Sequence, residues 1–321
     1  MLRDLGSRDK QFIEAVADIK KSLLDIAGVS APTWTAVLLQ GSGTYAVEAV
    51  LQTCSPREGA RVLIVANGAY GKRMGQICQV AGIECEVLRF AEIFPVDLEK
   101  VRARLSSGLK FSAVCVVHCE TSSGVMNDVE SLGRLVRETQ PSAFYFVDAM
   151  SSFGAVPLDL SNVDFVVSSA NKCLQGVPGF SYAISRRSAL ESCQGNCRSL
   201  SLDLVEQERN MASTGQFRFT PPTHTILAFR QAIKEFYQEG GLQGRQNRSR
   251  PLHVRQAVVI LSDLRYKENR EVLKSGMASL GFKELVPEKF AGHIITCFYY
   301  PKHQNFSFEK FYQKLSDIGK I

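Results

Sequence analysis

A chain of 321 residues, 45% hydrophobic and 22% charged, has the make-up of an ordinary globular protein, long enough for one sizeable core and a smaller second unit. No apolar run approaches the ~20 residues of a membrane span, and the charged start MLRDLGSRDK lacks the apolar centre of a secretion signal, so a cytoplasmic location is expected. The net charge of +6 suits small anionic substrates and argues poorly for nucleic acid, and nine cysteines without paired spacing fit a reducing compartment.

Ser7 is a candidate N-cap for a first helix reaching about Ala27. From Thr35 to about Ile184, β-branched runs alternate with helical patterns. The strands read as TAVLLQ (35–40), RVLIVAN (61–67), ECEVLRF (84–90), SAVCVVH (112–118), AFYFVD (143–148), DFVVSS (164–169) and FSYAIS (180–185). Amphipathic stretches such as AYGKRMGQICQVAG (69–82) and DVESLGRLVRETQ (128–140) lie between them. This alternation predicts an α/β fold, a mainly parallel seven-stranded sheet with helices on both faces, whose ligands bind at the carboxyl ends of the strands.

Two prolines then open a long helix in PPTHTILAFRQAIKEFYQEGG (221–241). From about Gly241 the pattern changes to a long helix, short strands near FKELV (282–286) and HIITCFYY (293–300), and a last helix from Phe306. The expected division is a large α/β domain over 1–240, including the N-terminal helix, and a small, incomplete α+β domain over 241–321. The densest basic stretch, GRQNRSR (244–250), has no interleaved aromatics and reads as a solvated helix face.

Three strand ends carry chemistry. The first runs into GSGTYAVEAVLQT (41–53), where Gly41 and Gly43 permit a tight turn, Ser42 and Thr44 offer hydroxyls, and a helix begins at once. Backbone N–H groups and the positive end of a helix dipole then converge, a ready phosphate site. Gly41, Gly43 and Ala46 also satisfy the relaxed pattern G-x-G-x-x-A, so a nicotinamide-dependent dehydrogenase is a rival. Its ribose-binding acid would have to be Glu58, in the loop-like SPREGA. AFYFVD ends in Asp148, which could cap the next turn or pair with a protonated ring nitrogen. After DFVVSS comes Lys172, whose amine, if shielded from water, can condense with an aldehyde. A phosphate, a ring nitrogen and an aldehyde are the three groups of pyridoxal phosphate.

Other candidates read as packing. His118 and Glu120 form the His-x-Glu of zinc deaminases without the required Pro-Cys-x-x-Cys, so no metal is expected. Cys193 and Cys197 read as free thiols, Cys173 and Trp34 as packing residues, and His224 as a structural histidine.

The strings LLQGSGTYAVEA, NGAYGKRM, HCETSSGV, VDAMSSFGAVPLD, SSANKCLQGVPGF and FRFTPPTHTILAF resemble the class V aminotransferases, a branch of the fold type I pyridoxal-phosphate enzymes. Within that branch they are most similar to the 2-aminoethylphosphonate–pyruvate type, with the alanine–glyoxylate type, or a catalytically impaired cofactor-binding homologue, as the alternative. The resemblance implies transfer of the amino group of 2-aminoethylphosphonate to pyruvate, giving phosphonoacetaldehyde and L-alanine. It implies that Lys172 forms the Schiff base with the cofactor and shuttles a proton, and that Asp148 keeps the pyridine nitrogen protonated. Ser42, Gly43 and Thr44 would bind the cofactor phosphate with Ser169 as an added donor, and Thr121 would hydrogen-bond the ring oxygen. Tyr70 would stack on the ring, and Thr220 would reach the phosphate of the other subunit, which implies a homodimer with shared sites. An N-terminal Thr-Pro-Gly-Pro turn and a C-terminal substrate-binding arginine of that type are not in this sequence, so it is expected to be trimmed at both ends.

Overall fold

In the computed structural model, which describes residues 4–242 and 263–318, all seven expected runs form one sheet. They are β1 (Trp34–Gln40), β2 (Val62–Ala66), β3 (Cys85–Arg89), β4 (Ala113–Val117), β7 (Phe144–Asp148), β8 (Phe165–Ser169) and β9 (Phe180–Arg186), in the order β1-β9-β8-β7-β4-β2-β3. β9 is antiparallel to both β1 and β8, and the other neighbours are parallel. Two further strands, β5 (Cys119–Glu120) and β6 (Val125–Met126), form a small hairpin just beyond β4. Strands of two residues around a Thr-Ser-Ser-Gly turn give no periodic signal, and the sequence reading missed them.

Helices cover both faces. One face buries α1 (Lys10–Ile26), α4 (Leu98–Leu105), α5 (Val129–Thr139) and α8 (Thr223–Gln238) on Ala36, Leu38, Val114, Val116, Tyr145 and Val147. The other buries α2 (Gly43–Thr53), α3 (Ala69–Val80), α6 (Arg187–Ser192) and α7 (Leu204–Thr214) on Val37, Leu39, Cys115, Phe146, Phe165 and Val167. Side chains alternate between faces along a strand. Asp148 therefore shares the face of Phe146 and points toward α2 and α3.

The first helix starts later than expected. Asp9, not Ser7, is its N-cap, accepting from Gln11 N at 2.8 Å, and a carboxylate there also meets the helix dipole. The C-terminal part contains α9 (Asp263–Ser279), the pair β10 (Lys283–Glu284) and β11 (Phe298–Tyr299), and α10 (Phe308–Asp317). It reaches the β5–β6 hairpin through Gly292 N to Gly124 O at 2.8 Å and a bridge between Val125 and Ala291. The basic stretch 244–250 lies outside the described residues. No described helix is long and apolar enough to cross a membrane.

β7 and β8, which deliver Asp148 and Lys172, are tied at their starts by Asp164. Its Oδ2 accepts from Tyr145 N at 2.8 Å and from Arg137 Nη2 at 2.5 Å, with Arg186 Nε 3.6 Å from Oδ1. Removing the carboxylate strands a buried N–H and takes a charged partner from Arg137 and Arg186, whose guanidinium groups keep only carbonyl acceptors there. Asp164→Ala should cost about 2–4 kcal/mol of stability in urea denaturation; a loss below about 0.5 kcal/mol, typical of an inert surface change, would contradict this role.

Candidate active site

The carboxyl ends of β4, β7 and β8 open into one cavity of about 190 Å³. Its walls bring together Ser42, Gly43, Thr44, Tyr70, Thr121, Asp148, Ser169 and Lys172, which the sequence places up to 130 positions apart (172 − 42). Thr220 is not among them. It lies in a separate hollow of about 660 Å³ with Tyr45, Glu48 and Phe219, and Thr44 borders both spaces.

The floor on one side is the N-terminus of α2. Gly41 turns the chain at φ +104°, a conformation that favours glycine. Ser42 occupies the N-cap but makes no side-chain capping bond, so the helix presents unsatisfied donors and a positive dipole end to the cavity. A Cβ on Gly43 would stand 2.2 Å from Met150 Sδ, so a larger residue there would have to push that flexible side chain aside.

Asp148 is buried at the end of β7, 3% exposed. Its Oδ1 accepts from Met150 N at 2.9 Å, so the carboxylate does cap the following turn. No lysine or arginine among the described residues hydrogen-bonds it. Burial pushes its pKa from an ordinary 3.8 up to about 7; the Met150 amide pulls it down, Glu120 pushes it up, and Arg73 and Lys172 pull it down. A buried carboxylate at that balance favours a positively charged neighbour.

Lys172 sits on the loop from Ala170 to Gly179 that joins β8 to β9. Leu174 and Cys173 are buried and pin this loop, Cys173 Sγ donating to Ser151 O at 3.0 Å. Lys172 O accepts from Gln175 N, and Gln175 takes φ 59° to close the turn. The Lys172 side chain itself is exposed, so the shielding on which the sequence reading made its amine chemistry conditional is not met in the cofactor-free chain. The Ser169 hydroxyl donates to Asn171 Oδ1 at 2.9 Å. Thr121 Oγ1 is buried with no hydrogen-bond partner among the described residues, a cost that a ligand acceptor would relieve.

Sequence reasoning passed over Arg73, Met150, Ser151 and Asn171, which also line the cavity. Arg73 had a signal: three residues after Tyr70 on a helix, it shares that face, and its guanidinium carbon lies 4.7 Å from the Tyr70 ring centroid. His118 and Glu120 are engaged elsewhere. Burial holds His118 down at about 4, with Nδ1 2.9 Å from Ser152 Oγ, while Glu120 accepts from the amides of Tyr70 and Gly71. Cys193 and Cys197 are buried free thiols, Trp34 is buried, and Glu58 is an exposed loop residue. His224 differs from expectation: it is half-exposed, with Nε2 3.6 Å from Asp4 Oδ1.

The Asp148 shift has a defined sign. Between about pH 4 and about pH 7 the folded, cofactor-free chain keeps a proton on Asp148 that the unfolded chain has lost. Stability from this group is therefore present at low pH and lost as pH rises to about 7. Asp148→Asn should flatten that fall, measured as the midpoint of urea unfolding at several pH values; parallel profiles for the two proteins would exclude the shift.

The chain has relatives among named proteins. A 2-aminoethylphosphonate–pyruvate transaminase of Syntrophobacter fumaroxidans is 43% identical over 324 aligned positions, covering all of this chain and 82% of that protein. One of Klebsiella pneumoniae is 42% identical, covering all of this chain and 83% of its own. Among solved structures, an alanine–glyoxylate aminotransferase from Nostoc sp. superposes with a TM-score of 0.83 at 24% identity, over 99% of this chain and 79% of that one, a likeness of fold. The family model described as aminotransferase class V matches residues 1–292. With that match over most of its length, the chain belongs to the class V aminotransferases.

Proposed function

We propose that this aminotransferase uses pyridoxal phosphate to move the amino group of 2-aminoethylphosphonate to pyruvate, yielding phosphonoacetaldehyde and L-alanine. The observation that carries the cofactor reading is Asp148, a buried carboxylate without a cationic hydrogen-bond partner, in the same cavity as Lys172. The substrates follow the relatives that share about two-fifths of its residues and bear that activity in their names.

The residues present fit the cofactor. The uncapped start of α2 offers Ser42 Oγ and the amides of Gly43 and Thr44 to a phosphate. Asp148 stands where a ring nitrogen would hold a proton, and the orphaned Thr121 Oγ1 would donate to a ring oxygen. Tyr70, half-buried at the wall, supplies a stacking face. Ser169 joins the phosphate donors once its hydroxyl turns from Asn171.

When bound, pyridoxal phosphate supplies an aldehyde that condenses with amines and a ring that withdraws electrons from the amine-bearing carbon. Asp148 keeps the ring-nitrogen proton in place, since the buried carboxylate gains an opposite charge. Lys172 Nζ, on its exposed turn, would take the proton lost by the amine-bearing carbon of the donor and hand it to the carbon that was the cofactor's aldehyde, and would run the same transfer backwards with the keto acid. Arg73 and Lys172 make the mouth positive, which suits a phosphonate and a carboxylate.

Thr220, in the neighbouring hollow, we infer to serve the site of a second copy in a homodimer. We also infer the division near residue 240 into a cofactor-binding domain and a smaller C-terminal one. A cytoplasmic location is supported by nine cysteines that form no disulfide among the described residues.

The purified chain with pyridoxal phosphate should show a visible Schiff-base band that bleaches to the pyridoxamine form on adding 2-aminoethylphosphonate. A band indifferent to that amine would overturn the substrate, and the absence of any band would overturn the cofactor. Lys172→Ala should remove the band and lower turnover by at least about 10²-fold, the scale of a lost proton-transfer group.

A further inference from the structure

The start of α3 is capped from a distant segment. Gly68, its N-cap residue, makes no side-chain capping bond. Glu120, fully buried at the end of β5, does this instead: Oε1 accepts from Tyr70 N at 3.0 Å and Oε2 from Gly71 N at 3.2 Å. Gly68 leaves room for it, since a Cβ there would stand 2.0 Å from Glu120 Cγ. Ser122 closes the arrangement, its hydroxyl accepting from Ala69 N at 3.2 Å and lying 3.5 Å from Glu120 Oε1.

Glu120 does not itself line the cavity, but the residues it holds do. Tyr70 is attached through its own amide, Arg73 follows one turn later, and Thr121 is the next residue in the chain. Both Glu120 oxygens accept from backbone donors, so the carboxylate serves as the cap of this helix.

We propose that Glu120 is a positioning residue for the cofactor site, locking the stacking wall at Tyr70 and the hydroxyl of Thr121 into one fixed frame. This rests on the proposed placement of pyridoxal phosphate. Without the carboxylate, the first turn of α3 has two unsatisfied amides and frays, and the Tyr70 ring loses its fixed position.

The test is a double-mutant cycle on the full chain with pyridoxal phosphate. Glu120→Ala should raise the cofactor dissociation constant roughly fivefold to tenfold, the size of a lost cap, and weaken the visible circular dichroism of the bound cofactor. Combined with Tyr70→Ala, the loss should fall clearly short of the product of the single effects, because Glu120 acts largely through Tyr70. Glu120→Gln, which keeps one acceptor, should lie in between, and it takes over the cycle if Glu120→Ala does not fold. Independent, multiplying effects, or an unchanged dissociation constant, would overturn the proposal. Hydrogen exchange at the Tyr70 and Gly71 amides separates it from the cofactor reading. Protection lost in the Glu120 variants of the cofactor-free chain is expected, and protection retained would overturn the cap even if the cofactor binds. A wild-type chain that takes up no cofactor would overturn the cofactor reading and, with it, the role in that site.

Discussion

A carboxylate carried to the end of a buried strand loses most of its hydration, and several kcal/mol of solvation must be recovered from its surroundings. Asp148 recovers only part of it, through one backbone amide at Met150. The balance favours an opposite charge in the cavity next to it. The rest of the architecture makes sense around that demand. The parallel strands β4, β7 and β8 end together, β1 sends α2 across the sheet so that its positive end arrives at the same place, and the turn after β8 supplies an amine.

The strand order makes this convergence possible. β1 lies at one edge of the sheet and β2 next to the other, so the connection through α2 spans several strands and packs Val47 and Val50 on the face that Asp148 shares. The β5–β6 hairpin then brings Glu120 and Thr121 to the start of α3. On its far side the hairpin meets the C-terminal segment, where a Cβ on Gly124 would stand 2.5 Å from Ile295 O. A rigid frame of this kind keeps polar groups pre-aimed at a ligand, so that binding does not have to order them.

Much of this was legible in the sequence, and the physical reasons are specific. The seven sheet strands announce themselves because buried parallel strands are short continuous runs of Val, Ile, Ala and Phe bounded by turn residues. Asp148, Lys172 and the Ser42–Thr44 turn were found because strand ends are where polar residues break such runs. The helix start at Asp9 rather than Ser7 was a choice between two good caps two residues apart, which local pattern cannot rank. Glu120 was seen only as half of a metal-like motif, because its partners, the amides of Tyr70 and Gly71, are 50 and 49 positions away. Arg73 was absorbed into an amphipathic helix, since only the fold shows which end of α3 faces the cavity. Thr220 lies in a hollow beside the site, a placement that depends on how Phe219 and Gln40 pack and not on spacing.

The proposed pairing of Asp148 with a protonated ring is tested most directly by carbon NMR of the Asp148 carboxyl, titrated with and without pyridoxal phosphate. The account predicts a pKa of about 7 in the cofactor-free chain and a fall to well below that once the cofactor binds, as the carboxylate gains its cation. A value that does not move on cofactor binding would contradict it.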